Sequence, residues 1–187
     1  MLFAMRAERD TSPVTLRPAT PGDVEQILAF IRELAAYEKL EHQVVATVAE
    51  LSRHLFGDRP AAEVVIAELE GVPVGFALFF QNFSTFLGRP GLFLEDLYVQ
   101  PQARGKGIGK ALLVHLARLA VARGAGRVDW NVLDWNEPAI AFYQRLGATV
   151  LPDWRTCRVT GDALSNLAEA AGSGTAQRPD GTTSDSR

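Results

Sequence analysis

The sequence has one cysteine, little net charge and no long apolar run. Because Cys157 is alone among the 187 residues, an internal disulfide framework is excluded and a reducing, cytoplasmic setting is expected. The formal net charge of -3 argues against nucleic-acid and anionic-membrane binders, which carry a basic surplus. No stretch approaches the ~20 apolar residues of a membrane span, and MLFAMRAERD lacks the apolar core of a signal peptide. We therefore expect a soluble protein with no nucleic-acid or membrane partner.

Metal and thiol chemistry also find little support. The three histidines, His42, His54 and His115, have neither metal-ligand spacing nor a cysteine partner. Cys157 is expected on a late strand as a small buried thiol rather than as a nucleophile. We therefore predict no metal site.

The chain is long and apolar enough for one sizeable core. Apolar residues make up 47% of it, which predicts a single globular domain. We assign residues 1–13 to an N-terminal extension and 14–171 to the domain. Residues 172–187 are rich in Gly, Ser, Thr and Asp and are predicted to be a disordered tail.

Hydrophobic periodicity predicts an α/β domain that begins with antiparallel elements. The expected order is a strand at VTLRPA, a helix capped by Thr20, a shorter helix from Thr47 to Leu55, the hairpin AEVVIAEL and VGFALFF, a loop at residues 81–91, and a central strand LFLEDLYV. The second half alternates a helix that ends at Gly124, a strand RVDWNVL, a helix capped by Asn136, a strand pair from Thr149 to Val159 and a weak terminal helix.

The stretch ARGKGIGKALL, residues 103–113, combines glycines and basic residues ahead of a helical stripe. It is not a Walker A loop, because Ala111 follows the Gly109–Lys110 pair and the position of the first glycine is Arg104. The Rossmann fingerprint spaces its glycines two and then three apart, whereas the glycines here are two and two apart. Nucleotide hydrolysis and dinucleotide binding are therefore disfavoured.

The loop still has the features of an anion cradle. Glycines let backbone amides approach an anion, and a helix N-terminus favours negative charge. Arg104, Lys106 and Lys110 add positive charge, which suits a ligand with several phosphates. The alternative is a glycine-rich turn with solvated basic residues.

Two motifs together make the sequence resemble a known family. RGKGIG preceded by LEDLYV, and WNEPAIAFYQRLGA further on, resemble the two hallmarks of the GNAT superfamily of acetyl-CoA-dependent N-acetyltransferases. LRPATPGDVEQIL and ELAAYEKLEHQV extend the likeness to its spermidine/spermine acetyltransferase-like subfamily, over about residues 14–160. The resemblance implies the GNAT fold: a mixed, mostly antiparallel sheet, splayed at the fourth strand, with helices on both faces. It also implies acetyl-CoA as co-substrate and a homodimer.

By resemblance, the cofactor lies along the fourth strand, on the glycine loop and at the start of a later helix. The residues implied are Leu97, Tyr98, Val99, Arg104, Gly105, Lys106, Gly107, Ile108, Gly109, Lys110, Asn136, Glu137, Pro138 and Ala139.

Acetyl transfer needs a neutral amine and a proton for the departing thiolate. The resemblance implies that Glu95 binds the amine and helps to deprotonate it, and that Tyr143 is the general acid. Asp96 follows Glu95, and strand alternation predicts that the two carboxylates lie on opposite faces. For Asp96, a carboxylate held by local hydrogen bonds is weighed equally with a direct role.

The resemblance also implies acceptor-binding residues, namely Tyr37, Glu38, Phe86 and Glu95. The polyamine-acetylating branch has an aspartate ahead of a tryptophan where NFSTFLG offers Ser84 and Phe86. A thialysine-selective branch has serine there, and VLDWN also favours that branch. We therefore expect a small primary amine as acceptor, with polyamines less preferred. Two alternatives remain: a non-catalytic acyl-CoA sensor, and a protein or peptide N-acetyltransferase.

Overall fold

The structure is a computed structural model that describes residues 14–170. It contains two compact units, the first ending at Leu133 and the second beginning at Asp134. Each unit is described separately below. The predicted extension, residues 1–13, and the predicted tail, residues 172–187, lie outside the described residues.

The first unit is built on a five-stranded sheet whose strands lie in chain order. The strands are β1 (Val14–Pro18), β2 (Glu63–Leu69), β3 (Val72–Ser84), β4 (Arg89–Val99) and β5 (Val128–Trp130). Neighbouring strands are antiparallel from β1 to β4, and β5 pairs with β4 in parallel. The predicted mixed, mostly antiparallel sheet is therefore confirmed.

Helices occur in both units and begin close to the predicted caps. The first unit has α1 (Val24–Glu38), α2 (Val48–Phe56) and α3 (Ile108–Ala122), and the second has α4 (Glu137–Arg145) and α5 (Asp162–Ala170). The Thr20 N–H donates to the Asp23 carboxylate at 2.7 Å, and the Glu50 N–H donates to Thr47 Oγ1 at 3.2 Å. Such contacts satisfy amide groups that a helix start leaves without intrahelical partners.

Helices cover both faces of the sheet, and each face has its own core. On one face, α3 packs on strands β2, β3 and β4 through buried residues that include Leu112, Leu116, Phe79, Leu92 and Leu94. On the other, α1 and α2 pack through Ile27, Phe30, Leu55, Ile66, Phe76 and Tyr98. Burial of these side chains from water supplies the main stabilisation of the unit.

Three expectations about strands were wrong. The expected loop at residues 81–91 is mostly strand, because β3 and β4 stay paired as far as Ser84 opposite Arg89. The strand expected over RVDWNVL is only three residues long. No strand occurs from 149 to 159 within the described part of the chain, and Cys157, expected there as a buried thiol, is exposed.

Candidate active site

A β-bulge interrupts β4 at Glu95. Phe79 of β3 lies opposite Leu94, and Leu78 lies opposite Asp96, so that Glu95 has no partner on β3. A bulge adds one residue to one strand and redirects the side chains around it. The chain therefore changes its alternation at the first of the two acids.

The bulge places Glu95 and Asp96 on the same face of the sheet. Leu94 and Leu97 both pack in the α3 core although only two residues separate them. Tyr98 packs in the α1 core. Both acids therefore lie on the α1 face, and the expectation of opposite faces was wrong because simple alternation does not hold across a bulge.

Beyond the bulge, β4 is open on one edge. Pairing with β5 covers Leu92 to Leu94, and within residues 14–170 no strand continues it along Glu95–Val99. Gln100 N–H donates to Val74 O at 2.9 Å on the β3 side. Because backbone groups of successive strand residues point to opposite edges, those of Leu97 and Val99 point to the open edge. This is the splay that the sequence predicted.

Carboxylates concentrate negative charge beside this opening. The pKa of Asp96 is raised to about 6, first by burial and then by the charges of Glu95 and Glu38. Burial also raises the pKa of Glu38. No hydrogen bond or ion pair is formed by the Asp96 side chain within residues 14–170. The site therefore favours a cationic group that would offset these charges.

A polar network below these acids involves residues that the sequence did not single out. Gln100 Nε2 donates to the Glu33 carboxylate at 3.3 Å, and the Tyr98 hydroxyl is hydrogen-bonded to the same group. Burial and this bond raise the pKa of Tyr98 to about 12. No sequence motif assigned a role to Glu33, and its spacing of three from Phe30 is the signal that places it here.

The end of α1 presents the predicted acceptor residues. Phe30 stacks on Phe76 with ring centroids 5.6 Å apart and lies 6.0 Å from Tyr98, which fixes the helix over β4. Tyr37 follows Phe30 by two turns. Lys39 ends the helix with a left-handed φ of 61°, and Leu40 N–H donates to Ala35 O in the bond typical of a Schellman motif.

The glycine loop leads from β4 into α3. Gly105 and Gly107 both have φ of 78°, a conformation that glycine adopts without strain. Gly107 caps α3, whose first residues Ile108, Gly109 and Lys110 have amides without intrahelical acceptors. The side chains of Lys106 and Lys110 are exposed. The loop can therefore receive an anion through its backbone.

Arg104, at the start of this loop, contacts β4 and α1. Its Nε donates to Val99 O at 3.0 Å, and its Cζ lies 5.0 Å from the centre of the Tyr37 ring and 6.0 Å from that of Tyr98. From the sequence, the positive charge of Arg104 was expected to serve the phosphates of the ligand.

The second unit contains the other residues expected at the cofactor and the expected acid. Asn136 Oδ1 accepts a hydrogen bond from Ala139 N–H at 3.4 Å, which makes Asn136 the cap of α4 as predicted. Glu137 and Pro138 form the first turn. Tyr143 lies one turn further on, with its ring 5.3 Å from that of Phe142.

Phe86 is not brought together with the other predicted acceptor residues of the unit. It lies in the turn between β3 and β4 and is 92% exposed. The six residue steps from Arg89 to Glu95 place this turn roughly 20 Å along β4 from the bulge. Ser84 is buried, and its Oγ accepts from Leu87 N–H at 3.2 Å, so it shapes the turn.

Residues 14–170 contain neither a membrane-spanning helix nor a metal-binding cluster. No helix there is long and apolar enough to cross a membrane. No group of three or more His, Cys, Asp or Glu side chains there is arranged to hold a metal ion.

A sheet opened at its fourth strand, followed by a glycine loop at a helix N-terminus, defines the acyl-CoA-dependent N-acyltransferase class. Residues 28–148 match the model of the acetyltransferase (GNAT) family. The chain belongs to the acetyltransferase (GNAT) family, and it is an acetyl-CoA-dependent N-acetyltransferase, as the motifs predicted.

Several characterised proteins are similar over most of the chain. L-ornithine N5-acetyltransferase NATA1 of Arabidopsis thaliana is 36% identical over 81% of this chain and 86% of its own length. Thialysine N-epsilon-acetyltransferase of Bos taurus is 38% identical, covering 83% of this chain and 97% of its own. A solved structure, an integron cassette protein from the mobile metagenome of V. cholerae, has a TM-score of 0.71 at 26% identity, covering 84% of this chain and 98% of that one.

Proposed function

We propose that this protein transfers the acetyl group of acetyl-CoA to a primary amine of a small cationic molecule by direct attack. The acceptor is a thialysine- or lysine-like amine, or a di- or polyamine. One observation carries the proposal: the edge of β4 opens at the same residue, Glu95, where the bulge turns two carboxylates toward α1. A thioester along the open edge and an ammonium drawn to the acids would meet there.

The open edge supports a cofactor role for the end of β4. Backbone groups of Leu97 and Val99 that face this edge can pair with the amides of a pantetheine arm, with Tyr98 holding the strand from the α1 side. The pyrophosphate would lie on the backbone of Gly105–Lys110 at the start of α3. Asn136 to Ala139 are proposed as further cofactor contacts on the strength of the resemblance.

The carboxylates address the charge state of the acceptor. An alkylammonium has a pKa of about 10.4, so presenting the neutral amine near pH 7.4 costs about 4 kcal/mol. We propose Glu95 as the group that binds the ammonium and accepts its proton, directly or through water. Glu38 would pair with a second cationic group on the acceptor, and Tyr37 and Phe86 would contact the rest of the molecule.

Tyr143 is proposed as the general acid that returns a proton to the departing thiolate. A tyrosine with a pKa near 10 is protonated at neutral pH and able to donate. Its place on α4 after the Asn136 cap fits the family motif. No metal is assigned a part in this reaction.

The relatives support the choice of acceptor class. The names of the two relatives above specify ornithine and thialysine as acceptors, and both molecules carry side-chain amines. A spermidine/spermine N(1)-acetyltransferase-like protein of Homo sapiens is 32% identical over 82% of this chain and 23% of its own length. We propose a thialysine- or lysine-like amine ahead of polyamines, because the chain has Ser84 where the polyamine branch has a carboxylate.

A homodimer and a cytoplasmic location complete the proposal. Both follow from the resemblance, and the single cysteine is consistent with a reducing compartment. The resemblance places acceptor sites near the subunit contact. Phe86, at the tip of the β3–β4 hairpin, would therefore contact an acceptor across that interface. Light scattering of the purified protein tests the dimer, and a monomer at micromolar concentration would contradict it.

When purified protein is supplied with acetyl-CoA and a panel of acceptors, free CoA thiol should form with one class of acceptor. The panel contains thialysine, lysine, ornithine, diamines, polyamines and peptides. Turnover restricted to peptides would replace the small-amine proposal with the protein N-acetyltransferase alternative. CoA binding without turnover on any amine would support the alternative of a non-catalytic acyl-CoA sensor.

A Tyr143→Phe variant should lose about 100-fold in kcat with CoA affinity unchanged, because the departing thiolate loses its proton donor. Full activity of this variant would remove the general-acid role proposed for Tyr143.

A further inference from the structure

Gly75 lies on β3 directly opposite Val99, in the open half of β4. It is buried, and a Cβ atom built on it would lie 2.5 Å from the carbonyl oxygen of Tyr98 and 3.2 Å from the Cα of Val99. Both atoms belong to the backbone of β4, which cannot rotate aside as a side chain can. Glycine inside a strand often marks a place where another backbone approaches closely. Any larger residue at position 75 would therefore push β4 away from β3.

A second β-bulge lies next to this glycine. On the β2 side, Ala67 lies opposite Gly75 and Glu68 lies opposite Pro73, so that Val74 is the extra residue of β3. A bulge bends its strand and increases the local twist. The bend and the missing side chain occur together, where β4 no longer has β5 as a neighbour. Two features of β3 therefore shape the support of the open half of β4.

One peptide group connects Gly75 with the open edge. Gln100 N–H donates to Val74 O on the β3 side. Strand alternation therefore directs the backbone groups of Tyr98 toward β3 and those of Val99 toward the open edge. The carbonyl of Tyr98 and the N–H of Val99 belong to the same planar peptide group and point in opposite directions. A side chain at position 75 that displaced this carbonyl would also tilt the Val99 N–H.

We propose that Gly75 is a positioning residue for the cofactor: its lack of a side chain sets the orientation of the Val99 N–H toward the pantetheine arm. The inference rests on the proposed function, which lays that arm along the open edge, and adds a determinant on the neighbouring strand. Gly75 acts through the Tyr98–Val99 peptide group rather than by contact with the cofactor. A change at position 75 therefore alters binding of pantetheine and leaves the glycine loop, which would hold the phosphates, as it is.

The test compares Gly75→Ala with Gly91→Ala, a matched control in the other half of the same strand pair. A Cβ at Gly91 would first meet Oδ1 of Asn82, which is the end of a side chain and can move. Calorimetry measures the Kd of two probes, CoA and 3′-phospho-ADP, which is CoA without its pantetheine arm. For Gly75→Ala we expect the Kd for CoA to rise about 10-fold, as for a lost hydrogen bond, with that for 3′-phospho-ADP within about twofold of wild type. For Gly91→Ala we expect both Kd values within about twofold of wild type, whatever its effect on Tm.

An unchanged Kd for CoA in folded Gly75→Ala overturns the inference. Equal losses of affinity for the two probes also overturn it, because they would indicate a general loosening of the fold. Wild-type protein that fails to bind CoA would refute the proposed function and this inference together. Binding of CoA without turnover on any amine would refute the proposed function alone.

Val99→Pro decides the question if Gly75→Ala does not fold. Proline lacks the N–H that faces the open edge, and strands tolerate it at an edge position. CoA should then bind about 10-fold more weakly, with the Kd for 3′-phospho-ADP within about twofold of wild type. An unchanged Kd for CoA in Val99→Pro would show that the orientation of this N–H has no effect on the cofactor, and the inference would fall.

Discussion

The two halves of β4 differ in pairing, burial and chemistry. Up to Leu94 the strand has neighbours on both edges, and Leu92 and Leu94 are at most 2% exposed. From Glu95 onward it has β3 on one edge only and carries two acids and a tyrosine. A single extra residue separates a structural segment from one that can bind a ligand.

The comparison shows why acids are tolerated in the middle of an apolar strand. A carboxylate in a fully paired, fully covered segment would lose its hydration without compensation. At the bulge, both acids face the end of α1, where Glu38 and the Tyr37 ring also lie and the strand edge is open. Burial, and then the charges of Glu95 and Glu38, raise the pKa of Asp96, and a cationic substrate is expected to offset this cost.

The largest effect should come from Glu95→Gln, which removes a carboxylate from the open half of β4 and keeps the size of the side chain. We expect kcat/KM for the amine to fall about 100-fold or more, because a positioned general base contributes roughly 10²–10⁴. Steady-state kinetics at saturating acetyl-CoA measure the loss. Retention of more than a third of wild-type activity would contradict the role given to Glu95.

Leu94→Ala tests the half of β4 that is paired on both edges, one residue before the bulge at Glu95. Truncating a fully buried leucine should lower the free energy of unfolding by about 3 kcal/mol through lost burial and a residual cavity. Urea unfolding measures it, with Leu97→Ala as the matched control on the partly exposed side of the bulge. A cost at Leu94 no greater than that at Leu97 would erase the difference between the halves.

The stability of Asp96→Asn relative to wild type, followed as a function of pH, tests the environment of the buried Asp96 carboxyl. The pKa of Asp96 in the fold is about 6, above its value of 3.8 without the fold, so the folded state holds this proton more tightly. The contribution of Asp96 to stability therefore falls as pH rises from about 4 to about 6. We expect Asp96→Asn to be about 1–2 kcal/mol more stable than wild type at pH 7, with the difference vanishing near pH 4.

Asp23 provides a control of opposite sign for this pH dependence. Its bond to Arg17 at 2.7 Å lowers the pKa of Asp23, so its contribution is present at neutral pH and is lost on acidification. Asp23→Asn should therefore destabilise at pH 7. Urea midpoints between pH 3 and 7.5 measure both variants, and a pH-independent difference for Asp96→Asn would contradict the raised pKa of Asp96.

The smallest effect is expected at the hairpin tip. Phe86 is almost fully exposed, so Phe86→Ala should change the free energy of unfolding by less than about 0.5 kcal/mol. If Phe86 contacts the acceptor across a subunit interface, amine KM should rise a few-fold with kcat retained. An unchanged KM in a confirmed dimer would remove Phe86 from the acceptor site.

Local patterns predicted much of this structure because they depend on near neighbours in sequence. Thr20, Thr47 and Asn136 were identified as caps or helix starts from residue type and spacing, and α3 ends at Ala122, two residues before the predicted stop at Gly124. The glycine loop and the splay followed from the family motifs.

Features that depend on register or on distant partners were missed. Nothing in LFLEDLYV shows that Glu95 is the bulged residue, since that is decided by how β3 pairs with it. The direction of Arg104 depends on Tyr37, far away in sequence, and the Glu33–Gln100 contact depends on how α1 packs. Such contacts form only after tertiary packing has selected among alternatives that are locally equivalent.

The central claim, that the open half of β4 receives the pantetheine arm, is tested most directly by residue-resolved amide exchange with and without CoA. The account predicts that the amides of Leu97 and Val99 exchange at least about 10-fold more slowly in the complex, while that of Leu92, already bonded to Arg127 O, does not change. Unaltered exchange at Leu97 and Val99 in a protein saturated with CoA would contradict it.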